Sequence, residues 1–253
     1  MYCKNFELTE EDVIVRGKTC WPSETQEMFR AWVILCHGIP GGTKDPYDPG
    51  YLQLAEVLCA AGYRCVVFNF RGAGESTGDF DLKGWAQDLK HVLDYAESLS
   101  PDSSGMVLFG FSAGAAVSVY TAAHDHRIVG LILAAGPADF DSILLNDGPD
   151  QFLRHARSIG IIKNPNFPFD QNAWIEGFQV LRPDKWISRI EASPILILHG
   201  DQDETVPVEH GYRLCENAPE PKELVVIKGG GHRLRLDDEA MKAALRWLQN
   251  TIT

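Results

Sequence analysis

Six short, almost continuously apolar runs alternate along this chain with segments of helical periodicity, and this alternation limits the possible folds most strongly. A strand that helices cover on both faces is apolar along its whole length, whereas a strand with one face in water alternates apolar and polar residues. Buried strands that alternate with helices predict a doubly wound α/β domain with a mostly parallel sheet. The predicted strands are Ala31–Cys36, Tyr63–Phe70, Gly105–Phe111, Ile128–Ala134, Pro194–His199 and Glu223–Ile227, and the predicted helices are Tyr51–Ala61, Leu82–Leu99, Ala113–His124, Val208–Asn217 and Asp237–Gln249.

The N-terminal residues precede this alternation. Asp12–Lys18 and the stretch around Thr19–Trp21 predict one or two further strands at the edge of the sheet. The acidic residues Glu7, Glu10 and Glu11 lie where a signal peptide requires a positive patch and an apolar run. We therefore expect no secretion signal.

Residues 137–181 interrupt the alternation of strands and helices. This segment is rich in Asp, Asn, Pro and aromatic residues, and the apolar spacing of Asp150–Ile159 and Gln171–Leu181 predicts two short helices. A long insertion that leaves the carboxyl end of a strand commonly lines a ligand pocket. We expect a small cap over residues 137–181, inserted into a core of residues 1–136 and 182–253. The alternative is an ordinary excursion whose aromatic residues are buried for packing.

Length and charge exclude several classes of function. The chain has 253 residues, a length that suits one α/β domain, and its formal net charge is −12. A negative field repels phosphate backbones and anionic lipid headgroups, so we expect neither nucleic acid nor a membrane as a partner. Apolar runs of about 5–9 residues are also too short for a bilayer, which requires about 20.

The six cysteines include no C-x-x-C pair and no neighbouring histidine at ligand spacing, so no metal site is expected. Cys36 and Cys65 lie inside apolar runs, where a free thiol behaves as a small apolar side chain. This cysteine usage favours reduced thiols and a cytoplasmic location over a disulfide scaffold.

A G-x-S-x-G motif, Gly110–Gly114, lies between a predicted strand and a predicted helix. A turn this sharp strains the backbone of the central serine, and the flanking glycines avoid collisions that a Cβ atom would cause. Ser112 is the candidate nucleophile, with the amide groups of the following helix N-terminus beside it.

A serine hydroxyl needs a base to accept its proton. His232 follows three glycines directly after the last predicted strand and is the favoured base. His199 and His37, which end strands, are weaker candidates. The remaining histidines fall on or beside helices.

A carboxylate must then hold the histidine in the correct tautomer. Asp201 and Asp203 both lie in the loop after the fifth apolar run, and Asp203 is the favoured acid because Asp201 is better placed to support the turn. Asp139, after the fourth run, is the other topologically possible acid.

Acyl transfer also requires two N–H donors for the oxyanion. The N–H of Ala113, directly after the nucleophile, is one candidate. The second lies in the loop after the first apolar run, where Pro40 has no N–H and Gly38 permits the necessary turn, so that Ile39 is favoured. A simple glycine-rich turn is the alternative, and no G-K-[ST] follows that would indicate a phosphate loop.

At these residues the chain resembles the α/β-hydrolase superfamily, and within it the small carboxylesterases and serine-aminopeptidase-like hydrolases with a short cap. Asn69 stands where the family's strand–turn motif usually has Asp, and H-G-I-P differs from the H-G-G-G of some lipases, which argues against that branch. The motifs, in chain order, are H-G-I-P-G-G at His37–Gly42, F-N-F-R-G-A-G-E-S-T-G at Phe68–Gly78, G-F-S-A-G at Gly110–Gly114, H-G-D-Q-D-E-T-V-P at His199–Pro207 and G-G-G-H at Gly229–His232.

The resemblance implies a central sheet of about eight strands, flanked by helices and carrying a small helical cap. It also implies a Ser112–His232–Asp203 triad, whose chain order is typical of α/β hydrolases. The expected activity is hydrolysis of a small carboxylic ester without metal or organic cofactor, by a protein that could form a homodimer. Amide, peptide or thioester hydrolysis on the same triad, and a non-catalytic binding protein, are the alternatives. The cap aromatics expected to shape an apolar acyl or aryl pocket are Phe152, Phe167, Phe169, Trp174 and Phe178.

Overall fold

The protein is built around an eight-stranded sheet. The computed structural model describes residues 1–23, 31–41, 48–100, 105–142, 148–191 and 193–252. The strand order is β1-β2-β4-β3-β5-β6-β7-β8, in which the β1–β2 and β2–β4 pairs are antiparallel and all pairs from β4 to β8 are parallel. The strands are β1 (Tyr2–Glu10), β2 (Val13–Trp21), β3 (Trp32–Cys36), β4 (Arg64–Asn69), β5 (Met106–Phe111), β6 (Ile128–Ala134), β7 (Ile195–Gly200) and β8 (Lys222–Ile227). The predicted α/β fold with about eight strands is confirmed.

Helices cover both faces of this sheet. Along β3, Ile34 and Cys36 face the core beneath α2 and α3, whereas Val33 and Leu35 face the core beneath α1 and α8. Burial on both faces explains why the central strands are continuously apolar. The helices are α1 (Gly50–Ala60), α2 (Leu82–Leu99), α3 (Ala113–Ala122), α4 (Pro149–Ser158), α5 (Gln171–Val180), α6 (Pro183–Trp186), α7 (Glu209–Asn217) and α8 (Asp238–Thr251).

The N-terminal hairpin of β1 and β2 could be predicted only in part from apolar runs in the sequence. Strand β2 was predicted in part, but β1 was not, because its largely exposed residues carry no continuous apolar run. In β1, Cys3 lies directly opposite Cys20 of β2, and the two form a disulfide. The expectation of reduced thiols is therefore wrong for this pair, while Cys36, Cys59, Cys65 and Cys215 are free.

Residues 137–181 contain the two expected helices, α4 and α5. Trp174 and Phe178 of α5 are buried against Phe80, and the indole N–H of Trp174 donates to the Phe80 backbone oxygen at 3.0 Å. These contacts attach the segment to the loop before α2. Part of the predicted cap, residues 143–147, lies outside the described residues, and the division of the chain into core and cap stays a prediction.

The Phe68–Gly78 motif has a structural role in this fold. Arg71 and Asp88 form an ion pair in which Nη2 and Nε of Arg71 both donate to Asp88 Oδ1, at 2.7 and 3.0 Å, while the Arg71 backbone N–H donates to Oδ2. The Trp85 indole donates to the Arg71 backbone oxygen at 3.0 Å. The turn after β4 is thereby tied to the first turns of α2, which is itself capped by the Asp81 carboxylate.

No helix within the described part of the chain is both long enough and apolar enough to cross a bilayer.

Candidate active site

Ser112 lies at the turn between β5 and α3. Its backbone has φ 53° and ψ −125°, in the left-handed region that non-glycine residues rarely adopt. Hydrogen bonds hold this strained turn: Ser112 N–H donates to the Ala134 oxygen at 2.9 Å, and Ala115 N–H donates to the Ser112 oxygen at 2.9 Å. Strain that neighbouring strands maintain in this way is common at functional sites.

The glycines of the motif are required by close backbone approach, as predicted. A Cβ atom on Gly110 would lie 2.5 Å from the Cα of Ala115, and one on Gly114 would fall on the backbone oxygens of Cys36 and His37. Gly38, in the loop after β3, would place a Cβ 2.7 Å from the Cβ of Ser112. The turn after β5 and the loop after β3 are therefore packed backbone against backbone.

We expect Gly114→Ala to lower the free energy of unfolding by about 3 kcal/mol, because rigid backbone oxygens cannot move away from the added methyl group. Urea unfolding followed by circular dichroism would measure this change. Gly41→Ala is the matched control, since its Cβ would meet no atom within 4 Å. Equal stability of the two variants would contradict the packing argument.

The structure brings the three predicted triad residues together. Ser112 Oγ lies 3.0 Å from His232 Nε2, and His232 Nδ1 lies 2.8 Å from Asp203 Oδ2. The residues follow β5, β7 and β8, whose carboxyl ends lie at one edge of the sheet. The His232 side chain is 25% exposed and that of Asp203 is fully buried. A base that reaches both a hydroxyl and a buried carboxylate has the arrangement that serine activation requires.

Asp203 remains ionised despite its burial. Burial raises the pKa of the Asp203 carboxyl, but hydrogen bonds from His232 and from the backbone N–H groups of Val206 and Thr205 outweigh this effect and hold the pKa below its usual value. Both amides donate to Oδ1, at 2.8 Å from Val206 and 2.9 Å from Thr205. Oδ2 is thus left to face His232.

The other candidate bases and acids have different hydrogen-bond or ion-pair partners. His199 is fully buried, burial lowers its pKa, and its Nε2 lies 2.8 Å from the Val206 oxygen. Asp139 pairs with Arg213 at 2.5 Å. Asp201 accepts from the Gly229 N–H at 2.6 Å and so supports the loop between β8 and His232.

His37 fixes the loop after β3, a role that sequence reasoning missed. Its Nε2 accepts from the Phe70 N–H at 3.0 Å, so the ring proton lies on Nδ1 and donates to the Gly38 oxygen at 2.6 Å. Burial lowers the pKa of His37 to about 4, which keeps the ring neutral. Because a trans peptide points its C=O and N–H in opposite directions, this bond orients the Ile39 N–H away from His37. Gly42, the end of the predicted loop motif, lies outside the described residues.

Arg235 joins the histidine loop to the start of α1, and no sequence motif indicated this contact. Its Nη2 lies 2.5 Å from each carboxylate oxygen of Asp48, and its Nη1 donates to the Gly50 oxygen at 3.2 Å. The guanidinium carbon lies 4.7 Å from the ring centroid of Tyr51, and that ring packs edge-on against Phe111 beside the nucleophile. Arg235 therefore positions the segment that carries His232.

The five aromatic residues predicted to shape a pocket do not share one environment. Phe178 has no exposed surface and Trp174 is only 4% exposed, because both pack in the core between α5 and Phe80. Phe169 is 81% exposed and lies on the surface near Phe167. Phe178 and Phe169 therefore have opposite surroundings, and the pocket role of the five aromatic residues stays a prediction. Phe152 and Phe167 are partly buried against the core.

Comparisons with known proteins identify the family to which this fold belongs. A model of a protein family described as having the alpha/beta hydrolase fold matches residues 31–159, just over half of the chain. The human protein ABHD12B is 30% identical over 225 residues, which cover 83% of this chain and 57% of that protein. The chain spans between about a third and two thirds of the lengths of several curated proteins that it matches.

Solved structures share the whole fold. An alpha-beta serine hydrolase homologue from Coxiella burnetii superimposes with a TM-score of 0.66 at 26% identity, over 99% of this chain and 97% of that one. Est1E from Butyrivibrio proteoclasticus, solved with ferulic acid bound, gives a TM-score of 0.72 at 20% identity, over 98% and 99% of the two chains. The family match covers β3 to α4, including the nucleophile turn and the loop after β3, and it shows that the chain belongs to the α/β-hydrolase family.

Proposed function

We propose that the protein is a serine hydrolase that cleaves a small carboxylic ester through an acyl-enzyme intermediate. The observation that carries the proposal is the continuous path from Ser112 Oγ through the His232 ring to Asp203 Oδ2, with distances of 3.0 and 2.8 Å. In this path Asp203 Oδ2 accepts a hydrogen bond from the Nδ1–H of His232, so that Nε2 presents a lone pair to the serine hydroxyl.

The reaction then proceeds in two halves. Ser112 Oγ attacks the ester carbonyl carbon as His232 Nε2 takes its proton, and the protonated ring returns the proton to the departing alcohol. In the second half, water attacks the carbonyl carbon of the acyl-enzyme as His232 Nε2 takes its proton. The ring then returns this proton to Ser112 Oγ, and the acid is released. These steps require no metal or organic cofactor, and Asp203 stabilises the positive ring that forms in each half.

The Ile39 and Ala113 N–H groups are the proposed oxyanion donors. Ala113 is the first residue of α3, where a backbone N–H has no partner inside the helix. Gly38 packs against Ser112, and His37 holds the Gly38 carbonyl, so that the Ile39 N–H points to the opposite side of that peptide. Two preorganised N–H donors of this kind stabilise the charge that develops on the carbonyl oxygen.

A panel of leaving groups tests the proposed ester preference. We expect turnover of p-nitrophenyl acetate and of a feruloyl ester to exceed turnover of an aminoacyl anilide or an acyl thioester. The feruloyl probe is included because ferulic acid is the ligand in the structure of Est1E. Cleavage of the anilide alone would replace the esterase proposal by an amide or peptide hydrolase, and cleavage of the thioester alone would favour a thioesterase.

A non-catalytic binding protein is the alternative from a different class. A fluorophosphonate probe distinguishes the two, because it modifies only a serine that a neighbouring base activates. We expect stoichiometric labelling at Ser112 in the folded protein and none after denaturation. Folded protein that stays unlabelled would favour the binding module.

A further inference from the structure

Four of the six cysteines form a row across one face of the sheet. In the register of the antiparallel strands, Cys3 lies opposite Cys20, and Cys20 lies opposite Cys65 of β4. Directly opposite residues project to the same face of a sheet. Cys59 of α1 packs on that face, in the core cluster that also contains Cys20 and Cys65. Three strands and a helix therefore bring four sulfur atoms to one side of the sheet.

The spacing between the strands suits more than one disulfide. Cys3 and Cys20 have Cα atoms 4.1 Å apart, which marks the narrow, non-hydrogen-bonded type of antiparallel pair. The backbone N–H and C=O of Cys20 then point toward β4, so Cys20 and Cys65 form the wide type of pair, with Cα atoms about 5.5 Å apart. Disulfides span Cα separations of about 4.4–6.8 Å. Cys65 is thus within bonding reach of Cys20.

Cys59 extends the row by one more sulfur. The thiols of Cys59 and Cys65 are hydrogen-bonded to each other, and this bond lowers the pKa of Cys59. Burial raises the pKa of Cys65 well above its ordinary value. Cys59 therefore ionises more readily than Cys65, which suits Cys59 to attack a disulfide that includes Cys65.

The four sulfurs differ in their access to solvent. Cys20, Cys59 and Cys65 are at most 1% exposed. Cys3 is half-buried and lines a surface groove with Lys18, Leu52 and Glu56. A small molecule can therefore reach Cys3, whereas the other three sulfurs exchange with one another.

We propose that Cys3, Cys20, Cys65 and Cys59 form a thiol–disulfide exchange site that takes low-molecular-weight thiols and disulfides at Cys3. The Cys3–Cys20 bond is one of several interchangeable pairings of these residues. The Cys65 thiolate attacks Cys20 Sγ, which forms the Cys20–Cys65 bond and releases Cys3 as a thiolate. The Cys59 thiolate then attacks Cys65 Sγ, which forms the Cys59–Cys65 bond and releases Cys20. Each step exchanges one disulfide for another, so no oxidant is consumed.

A small thiol in solution can also react with this site, at Cys3. Its thiolate attacks Cys3 Sγ, breaks the Cys3–Cys20 bond and leaves a mixed disulfide on Cys3 with a free thiol on Cys20. A second molecule of the thiol then reduces Cys3 and departs as its own disulfide. The site is separate from the proposed hydrolase site, and neither Ser112 nor His232 takes part.

Peptide mapping under non-reducing conditions tests the proposal. The purified protein is equilibrated at graded ratios of reduced to oxidised glutathione, quenched with acid, alkylated and digested. We expect Cys3–Cys20 to predominate, with Cys20–Cys65 and Cys59–Cys65 peptides and a glutathione adduct on Cys3 at intermediate ratios. In the Cys3→Ser variant we expect most Cys20 to be linked to Cys65.

Two controls make the outcome decisive. Cys36→Ser should leave all three linkages unchanged, because Cys36 faces the opposite core, and circular dichroism checks that each variant is folded. If the wild-type protein forms only the Cys3–Cys20 bond at every ratio, with Cys59 and Cys65 recovered as alkylated thiols, the exchange site does not exist. Absence of the Cys3–Cys20 bond from the oxidised protein would overturn it equally.

Discussion

Replacing Ser112 by Ala is expected to lower kcat for p-nitrophenyl acetate by roughly five to six orders of magnitude. The loss is large because the acyl-enzyme can no longer form, while the oxyanion donors and the substrate site remain to support a slow attack by water. The Ser112 side chain bonds to His232, whereas backbone hydrogen bonds hold the strained turn, so removing the hydroxyl should leave the turn intact. Steady-state kinetics and fluorophosphonate labelling measure the two consequences, lost turnover and lost labelling.

Ser118 supplies a matched control for this change. It is buried in α3, six residues after Ser112, where its hydroxyl donates to the Gly114 oxygen at 2.8 Å. Ser118→Ala removes the same hydroxyl from a serine in the helix that follows Ser112, and should keep both turnover and labelling. A Ser112→Ala protein that is folded and retains wild-type turnover would refute the serine mechanism.

The second large effect is expected from Asp203→Asn, which should lower kcat by roughly four orders of magnitude. We expect kcat to fall because the backbone amides around this side chain fix the orientation of the asparagine. The Thr205 and Val206 N–H groups both donate to Oδ1, so the asparagine must place its carbonyl oxygen there and turn its NH2 group toward His232. Nδ1 then accepts a hydrogen bond, the proton moves to Nε2, and the ring can no longer accept the proton of Ser112.

Kinetics of Asp203→Asn beside Asp201→Asn would measure this effect. Asp201 lies in the same loop and accepts one backbone hydrogen bond, an interaction that the asparagine oxygen can preserve. Activity of Asp201→Asn should therefore stay close to that of the wild-type protein. Comparable losses in the two variants would show that charge in the loop matters in general, and would remove the specific role proposed for Asp203.

Runs of apolar residues in the sequence were sufficient to predict most of the strands. Six continuous apolar runs became the parallel strands with ends shifted by a residue or so, since a strand buried on both faces has few alternatives to such a sequence. Strand β1 was missed because it is mostly exposed and takes its structure from pairing with β2. The Cys3–Cys20 bond was missed for the same reason, since it depends on the register of a strand that was not predicted.

The different surroundings of the cap aromatics could not be predicted, for a related reason. Aromatic residues in an insertion suit both a ligand pocket and a packing contact, and composition does not distinguish the two. Phe178 is fully buried and contacts the rings of Phe80, Phe140 and Trp174. Phe169, in contrast, keeps 81% of its surface exposed to solvent. Only packing against the rest of the chain separates these outcomes.

By itself the sequence determined the α/β architecture and the identity of the residues that meet at the site. Apolar periodicity specifies which segments are buried, and a strand-to-helix turn around Ser112 requires glycine at positions 110 and 114. The tertiary structure alone decided which partners these residues have. Hydrogen bonds of 3.0 and 2.8 Å join Ser112, His232 and Asp203, which lie far apart in the chain. The contacts of His37 and Arg235 and the row of cysteines also join distant segments. Such contacts depend on how the strands order and align in the sheet, which no local pattern encodes.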